Sequence, residues 1–436
     1  MSLSLKTSTD ENITCHLQKA IDFHANGEDA QASELYKIIL KAEPNNFHAN
    51  LLFAIILFDN ALFLDAIPYF SEAILADPKC AEAFNYRGVA FKNMGEFCKA
   101  LDDYKVAIKL RPAYPDAHFN LGLILSDQGL ADEGIRCFRQ ALDYNPRNSL
   151  AHYNIGNLLS KKGQYSASLD EYDLAIAINS SNALFYVNKA NALMKIGEFS
   201  AALNSYSAAI SIDPKIPEAL HFIDALACNQ SKKPPTGYVE KLFDNYASLF
   251  EKSLVIDLGY KIPDIAANLI RKADPYESSI SVLDLGCGTG LFGEKVSDLC
   301  KRLDGVDASY SMLMEAQKKG VYDDLKHSDI EEYLAKNTIE FDYFVANDVF
   351  IYLGDLDNLF GLIKEKNKSG GKLLFTIELN NTDTFKLEKT GRYSHSREYI
   401  QLVSDNHGFC VFHSEDLNIR KENEGAVLGV LYILTF

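Results

Sequence analysis

The chain has 436 residues, 47% of them apolar and 24% charged, with a formal net charge of −17 at neutral pH. That length suffices for two ordinary domains, each burying a core of its own. The acidic balance excludes a general nucleic-acid binder, whose phosphate contacts need clustered Lys and Arg.

Residues 1–12 read as an N-terminal tail, without the apolar core and cleavage site of a secretion signal. The apolar stretch around Leu51 to Leu57 is too short to span a bilayer, so no membrane partner is expected. The eight cysteines include no Cys-x-x-Cys pair, which fits free thiols in a reducing compartment; a cytoplasmic location and no metal site are expected.

Residues 13–216 are internally periodic. Pro44, Pro78, Pro112, Pro146 and Pro214 keep a 34-residue step, with Ser180 in the vacant slot. A small residue recurs at Ala32, Ala66, Ala100, Gly134, Ser168 and Ala202, and an aromatic follows four residues later at Tyr36, Phe70, Tyr104, Phe138, Tyr172 and Tyr206. Gly27, Gly95, Gly129, Gly163 and Gly197 mark a turn in the same frame. Each unit therefore reads as two amphipathic helices joined at glycine. The small residue allows close approach, the aromatic fills the gap beside it, and proline stops the second helix. This pattern resembles the tetratricopeptide repeat, in six units. Pro217 to Gln230 reads as one more helix closing the stack, and Ser231 to Gly237 as a linker, so residues 217–237 separate the repeats from the second half of the chain.

A repeat array of this kind implies a groove for a protein or peptide partner. Asn120, Asn154 and Asn188 hold the sixth position of three successive units. Asparagine is a mediocre helix former, so its recurrence has one of two reasons: it binds the backbone of an extended peptide, as a similar ladder does in O-linked N-acetylglucosamine transferases, or it joins neighbouring units. His118 and His152, also one period apart, read as packing residues.

Residues 238–436 change to short apolar runs alternating with helical stretches, the pattern of an α/β sheet. Ser281 to Asp284 is a strand running into Leu285-Gly-Cys-Gly-Thr-Gly290, with a helix behind it. Gly288-Thr-Gly290-Leu-Phe-Gly293 formally matches the dinucleotide fingerprint, but the acid ahead of the first glycine, Asp284, points elsewhere. With Leu303 to Asp307, His327-Ser-Asp329-Ile330, Phe341 to Asn347 and Gly370 to Glu378 coming after it in order, the segment resembles the class I S-adenosylmethionine-dependent methyltransferases.

The resemblance implies a Rossmann-like fold with a mostly parallel seven-stranded sheet whose last strand, Val427 to Leu434, is antiparallel. It assigns cofactor binding to Asp284, Gly286, Gly288, Gly290, Asp307, Asp329, Ile330 and Asn347. In that scheme Asp307 takes the ribose hydroxyls, while Asp329 and the Ile330 backbone read the adenine. The segments Tyr238-Val-Glu-Lys-Leu-Phe-Asp-Asn-Tyr246 and Gly391-Arg-Tyr-Ser-His-Ser396 also resemble a subgroup of predicted methyltransferases fused to tetratricopeptide repeats.

Methyl transfer needs alignment more than a dedicated catalytic group, so the sequence offers catalytic candidates only: His395, Asp348 and Tyr246. Tyr352, Arg392 and Tyr393 are substrate candidates. His395 is either a base titrating near neutrality or a residue that orders its loop. Asn347-Asp-Val-Phe350 is not the Asn-Pro-Pro-Tyr of amine- and amide-directed enzymes. The expected protein is a methyltransferase whose repeats recruit a partner, with a protein or small-molecule acceptor. The alternative is a repeat scaffold whose second domain only senses the cofactor.

Overall fold

The 34-residue period becomes paired helices. The computed structural model describes residues 2–244, 246–252, 254, 259–274, 279–337, 340–367, 370–422 and 425–436. The chain divides into two compact units, Met1–Glu198 and Phe199–Phe436. In the first, a helix over Ser2–Ala25, which includes the stretch expected as a tail, pairs with Asp29–Ala42, and further pairs follow, such as Phe47–Asp59 with Phe63–Ala76 and Ala81–Asn93 with Phe97–Leu110. Asn46, Asn148 and Asn182 cap helix starts, each side-chain oxygen accepting from a backbone N–H two or three residues further on.

The repeated small residues and aromatics are fully buried, among them Ala32, Ala66, Ala100, Tyr36, Phe70, Tyr104 and Phe138. The rings of Tyr104, Phe138 and Tyr172 lie so close to Gly88, Gly122 and Gly156 that a Cβ there would meet each at 2.7 Å. The turn slot occupied by Gly27 and Gly95 is left-handed (φ +76° and +77°). In the second repeat that slot holds Ala61, at φ +58°, a conformation that costs a residue with a Cβ about 1–2 kcal/mol.

The second unit opens with the helices Phe199–Ile212 and Pro217–Leu226, so the boundary between units falls inside the sixth repeat. Its sheet is built from β1 (Ile280–Leu285), β2 (Cys300–Asp307), β3 (Asp324–His327), β4 (Tyr343–Ala346) and β5 (Lys372–Glu378). A small hairpin of β6 (Phe385–Leu387) and β7 (Tyr393–His395) stands apart. The long β8 (Cys410–Glu422) and β9 (Gly425–Thr435) complete the sheet in the order β3-β2-β1-β4-β5-β9-β8. The first five strands pair in parallel, and β9 runs antiparallel to both of its neighbours.

Alternation along the strands gives the sheet two cores, as expected of a parallel sheet covered on both faces. Leu283, Leu285, Phe344, Phe375 and Tyr432 point into one, and Val282, Tyr343, Val345, Leu374 and Ile433 into the other. The chain leaves β1 for β2 on one side, and β4 lies on the other. That reversal opens a crevice at the carboxyl ends of β1 and β4, where α/β sheets hold their ligands.

Candidate active site

Most of what the sequence singled out in the second half converges on those strand ends. Asp284, at the end of β1, is buried and accepts a hydrogen bond from Tyr322 Oη at 2.7 Å. Burial pushes its carboxyl up to about 7, although the tyrosine bond works in the other direction. The glycine turn comes next. A Cβ on Gly286 would stand 2.6 Å from Val349 Cγ2, whereas one on Gly288 would meet nothing within 4 Å among the described residues. Gly288 therefore borders open space.

Asp307 closes β2 beside that turn. Its Oδ2 accepts from Gly288 N and its Oδ1 from Ser309 N, both at 2.8 Å. Burial raises its pKa and the two N–H bonds oppose the rise. An ionised carboxylate has about four acceptor sites, so half remain for a ligand. Ser309 caps the next helix, Tyr310–Lys319, and its hydroxyl bonds Asp244 Oδ1 at 2.6 Å. Asp329 is exposed and caps the helix Ile330–Lys336 by accepting from Glu332 N at 3.1 Å; Ile330 is partly buried against the core.

Past β4, Asn347 has both side-chain amide atoms buried and, among the described residues, without a hydrogen-bond partner. An unpaired buried amide costs free energy, so its place at the crevice points to a polar ligand. Asp348 adopts a left-handed conformation, φ +57°, rare for a residue with a side chain. Its N–H donates to Thr376 Oγ1 at 2.9 Å, and that hydroxyl donates to Asp348 Oδ1 at 3.1 Å. Its Oδ2 lies 3.3 Å from Arg420 Nη1 of β8. Arg420, 3% exposed, also bonds Glu378 at the end of β5, and Arg392 Nη1 lies 3.6 Å from the same carboxylate. Burial raises the Asp348 carboxyl to about 6, against the pull of Arg420.

Tyr352 lies within electrostatic reach of Arg392, Arg420, Asp348 and Glu378 and meets the ring of Phe243 edge-on at 5.2 Å, and Tyr246 packs edge-on against Phe250 at 5.8 Å. Asn245 of the same leading segment lies outside the described residues. His395 is elsewhere. Its side chain is fully buried, Nε2 donates to Gly354 O at 3.0 Å, and the ring stacks on Tyr399. Burial holds its pKa down at about 4. This geometry orders the Gly354 turn and keeps the ring neutral, unlike a base titrating near neutrality. Tyr393 is buried with Leu387 and Ala225.

Tyr322, Arg420 and Thr376 carried no signal in the sequence. Glu378 could have been found, as an acid ending an apolar strand at the ligand edge of the sheet. In the first unit, Asn120 Nδ2 donates to Asn85 Oδ1 at 3.1 Å, and Asn188 Nδ2 to Asn157 Oδ1 and Tyr153 Oη at 2.8 and 2.9 Å. Asn154 donates to its own helix at Leu150 O, 2.8 Å. Two of the three therefore join neighbouring units. His118 Nε2 bonds Pro112 O at 2.8 Å, and His152 pairs with Glu171.

The strand order, glycine turn and row of acids define a Rossmann-like domain of the methyltransferase type, preceded by helical repeats. Residues 283–375 match the family described as a methyltransferase domain, and residues 94–129, 119–183 and 183–216 match tetratricopeptide-repeat families. The chain thus carries tetratricopeptide repeats and a methyltransferase domain.

A malonyl-[acyl-carrier protein] O-methyltransferase 2 of Ilyobacter polytropus is 28% identical over 141 residues, 31% of this chain and 49% of that protein. A ubiquinone biosynthesis O-methyltransferase of Chelativorans sp. is 31% identical over 134 residues, 29% of this chain and 52% of that protein. The chain spans about half the length of these curated relatives. Among solved structures, one of MamA is 27% identical with a TM-score of 0.35, covering 37% of this chain and 94% of that one. Among the described residues no helix is long and apolar enough to cross a membrane.

Proposed function

We propose that the second unit is an S-adenosylmethionine-dependent methyltransferase acting on an oxygen acceptor, and that the repeats bind a protein or peptide partner. The observation that carries the reading is the buried amide of Asn347, without a partner among the described residues, just past β4 and so at the same strand ends as Asp284, Asp307 and the Gly286–Gly290 turn. These groups suit a ligand with adjacent hydroxyls and an amino-acid end. Asp307 has acceptor sites left for the ribose, and Asp284 and Asn347 lie where the methionine end would rest. Asp329 would meet the adenine amine, with the Ile330 backbone beside it.

When bound, the cofactor supplies a sulfonium methyl group activated for in-line displacement. The chain's own task is to align an acceptor and, for a hydroxyl, to take its proton. Asp348 is the group for that. It is fixed by Thr376 and Arg420 in a buried site, and its pKa near 6 leaves it mostly ionised at neutral pH. An oxygen acceptor is favoured because the relatives are named as O-methyltransferases. The cysteines are unpaired, which fits the cytoplasm.

The test is calorimetric binding of S-adenosylmethionine to the full chain. It is followed by release of S-adenosylhomocysteine with a simple phenol and with malonyl-[acyl-carrier protein] as probes. Asp348→Asn should keep cofactor affinity within about twofold and lower the rate on the phenol by about 10²-fold or more, the usual weight of a general base. Absence of cofactor binding would sink the reading. Binding without turnover on either probe would favour the cofactor-sensing scaffold.

A further inference from the structure

The helix Pro217–Leu226 reads in the sequence as the cap of the repeat stack, yet it grips a turn of the methyltransferase unit. His221, 1% exposed, donates from Nε2 to Gly391 O at 2.8 Å and stacks on Tyr238 at 4.0 Å. The Phe222 ring lies against Gly391, where a Cβ would meet it at 3.0 Å, and the residue is left-handed at φ +80°. Phe222 in turn stacks on Tyr206 of the helix Phe199–Ile212, ring planes 6° apart. Lys389 Nζ sits 4.4 Å from the centre of the Phe199 ring in that helix. Ala225 completes the grip by packing with Leu387 of β6 and Tyr393 of β7.

The gripped turn closes on itself through Glu388 N to Arg392 O (2.8 Å) and Gly391 N to Glu388 O (2.9 Å). Arg392, the next residue, extends to Glu378 and so to Arg420 and Asp348. The imidazole is a costly way to fill this pocket, because among the described residues its buried Nδ1 has no partner. An apolar ring would fill the same space with no unpaired nitrogen of its own, at the loss of a donor to Gly391 O. What the imidazole adds is the bond from Nε2 to Gly391.

We propose that His221 is a positioning residue of the methyltransferase: by holding Gly391 it sets where Arg392 stands beside Glu378, Arg420 and Asp348. The last helix of the repeat pattern is then part of the acceptor side of the enzyme. This rests on the assignment of that cluster to the acceptor side, as proposed above.

The test uses the full-length chain with His221→Phe, which keeps the ring and removes the donor, and His221→Gln, which keeps a donor. Hydrogen exchange is followed over residues 385–395, with β1 as the control for an intact fold. Arg392 is probed by its rate of modification with phenylglyoxal, read by peptide mass spectrometry. His221→Phe should speed exchange in the turn by about three- to tenfold, the range one lost hydrogen bond gives, and should speed modification of Arg392. His221→Gln should stay within about twofold of the wild type in both.

An unchanged Arg392 rate in His221→Phe overturns the proposal, as does a His221→Gln chain that behaves like His221→Phe. If His221→Phe also loosens β1, the comparison of His221→Gln with wild type at Arg392 decides. Cofactor affinity should be unchanged in both variants. A wild type that binds no S-adenosylmethionine defeats the functional reading, while the exchange and modification data still judge the grip.

Discussion

Asp307→Asn separates the structural from the ligand-binding work of one carboxylate. The two oxygens of Asp307 each accept a backbone N–H, from Gly288 and from Ser309, at 2.8 Å. Asparagine offers one oxygen and one NH2, so one of those donors would face another donor in a buried site. Leaving it unpaired costs about 1–3 kcal/mol. For a domain of this size each kcal/mol lowers the melting temperature by about 2–4 °C, so the second unit should melt roughly 2–12 °C lower. Two ribose hydroxyls on a carboxylate make charge-assisted bonds worth about 1.5–3 kcal/mol each. Losing one and neutralising the other should remove about 2–4 kcal/mol of binding, roughly 30- to 1,000-fold in Kd. Calorimetry with S-adenosylmethionine measures the second effect and thermal unfolding the first. A variant that melts lower but binds the cofactor within threefold of wild type would show that Asp307 only shapes the glycine turn.

Substitutions at two further residues, Asp284 at the same strand ends and His395 away from them, test their assignments. The folded pKa of Asp284 is raised to about 7 from 3.8, so the native chain holds this proton to higher pH than the unfolded chain does. Its stabilising contribution is therefore full below about pH 4 and lost as the pH rises toward 7. Urea unfolding of the ligand-free chain should show a larger loss between pH 5 and pH 8 in wild type than in Asp284→Asn, and equal losses would contradict the raised pKa. For His395 the folded pKa is lowered to about 4, so its contribution is present above about pH 6.5 and lost as the pH falls toward 4. His395→Phe should cost about 1–2 kcal/mol of stability by removing the bond to Gly354 O, and His395→Gln should restore part of it. A fully stable His395→Phe chain that has lost methyl transfer would return His395 to the role of base.

How much of this was legible in the sequence depends on whether a residue's task repeats or is local. The repeats were legible because each unit restates the same packing problem, and Ala66 with Phe70 solves it as Ala100 with Tyr104 does. The strands that form the parallel sheet were legible because both faces are buried, which leaves continuous apolar runs such as Tyr343 to Ala346. β8 was not, since this edge strand has Phe412, Glu415 and Asp416 exposed and reads as polar loop. Asp284, Asp307 and Asn347 could be named because strand ends next to turns are where an α/β sheet binds ligands. Arg420 could not, because its partners Asp348 and Glu378 lie 72 and 42 residues away in sequence and meet it only through the strand order. His221 escaped for the same reason, with 170 residues between it and Gly391.

The glycine run shows why a spacing can be real and still mislead. Gly288-Thr-Gly290-Leu-Phe-Gly293 has the form of a dinucleotide fingerprint, in which each glycine serves the approach of a ligand or the packing of helix on strand. Here a Cβ on Gly290, Gly293 or Gly305 would meet the ring of Tyr322 at 3.0, 2.5 and 3.1 Å. Gly293 is small because a tyrosine fills the space beneath the turn, where its hydroxyl holds Asp284; Gly290 is also left-handed (φ +83°), and a Cβ on Gly305 would meet Leu325 and Cys287 first, at 2.8 and 2.9 Å. Only Gly288 opens onto unfilled space, and its N–H is bound by Asp307. In the proposed reading Gly288, Asp284 and Asp307 meet the ligand. Gly293 accommodates Tyr322, so enlarging it should disturb Asp284 through the tyrosine before it touches any ligand.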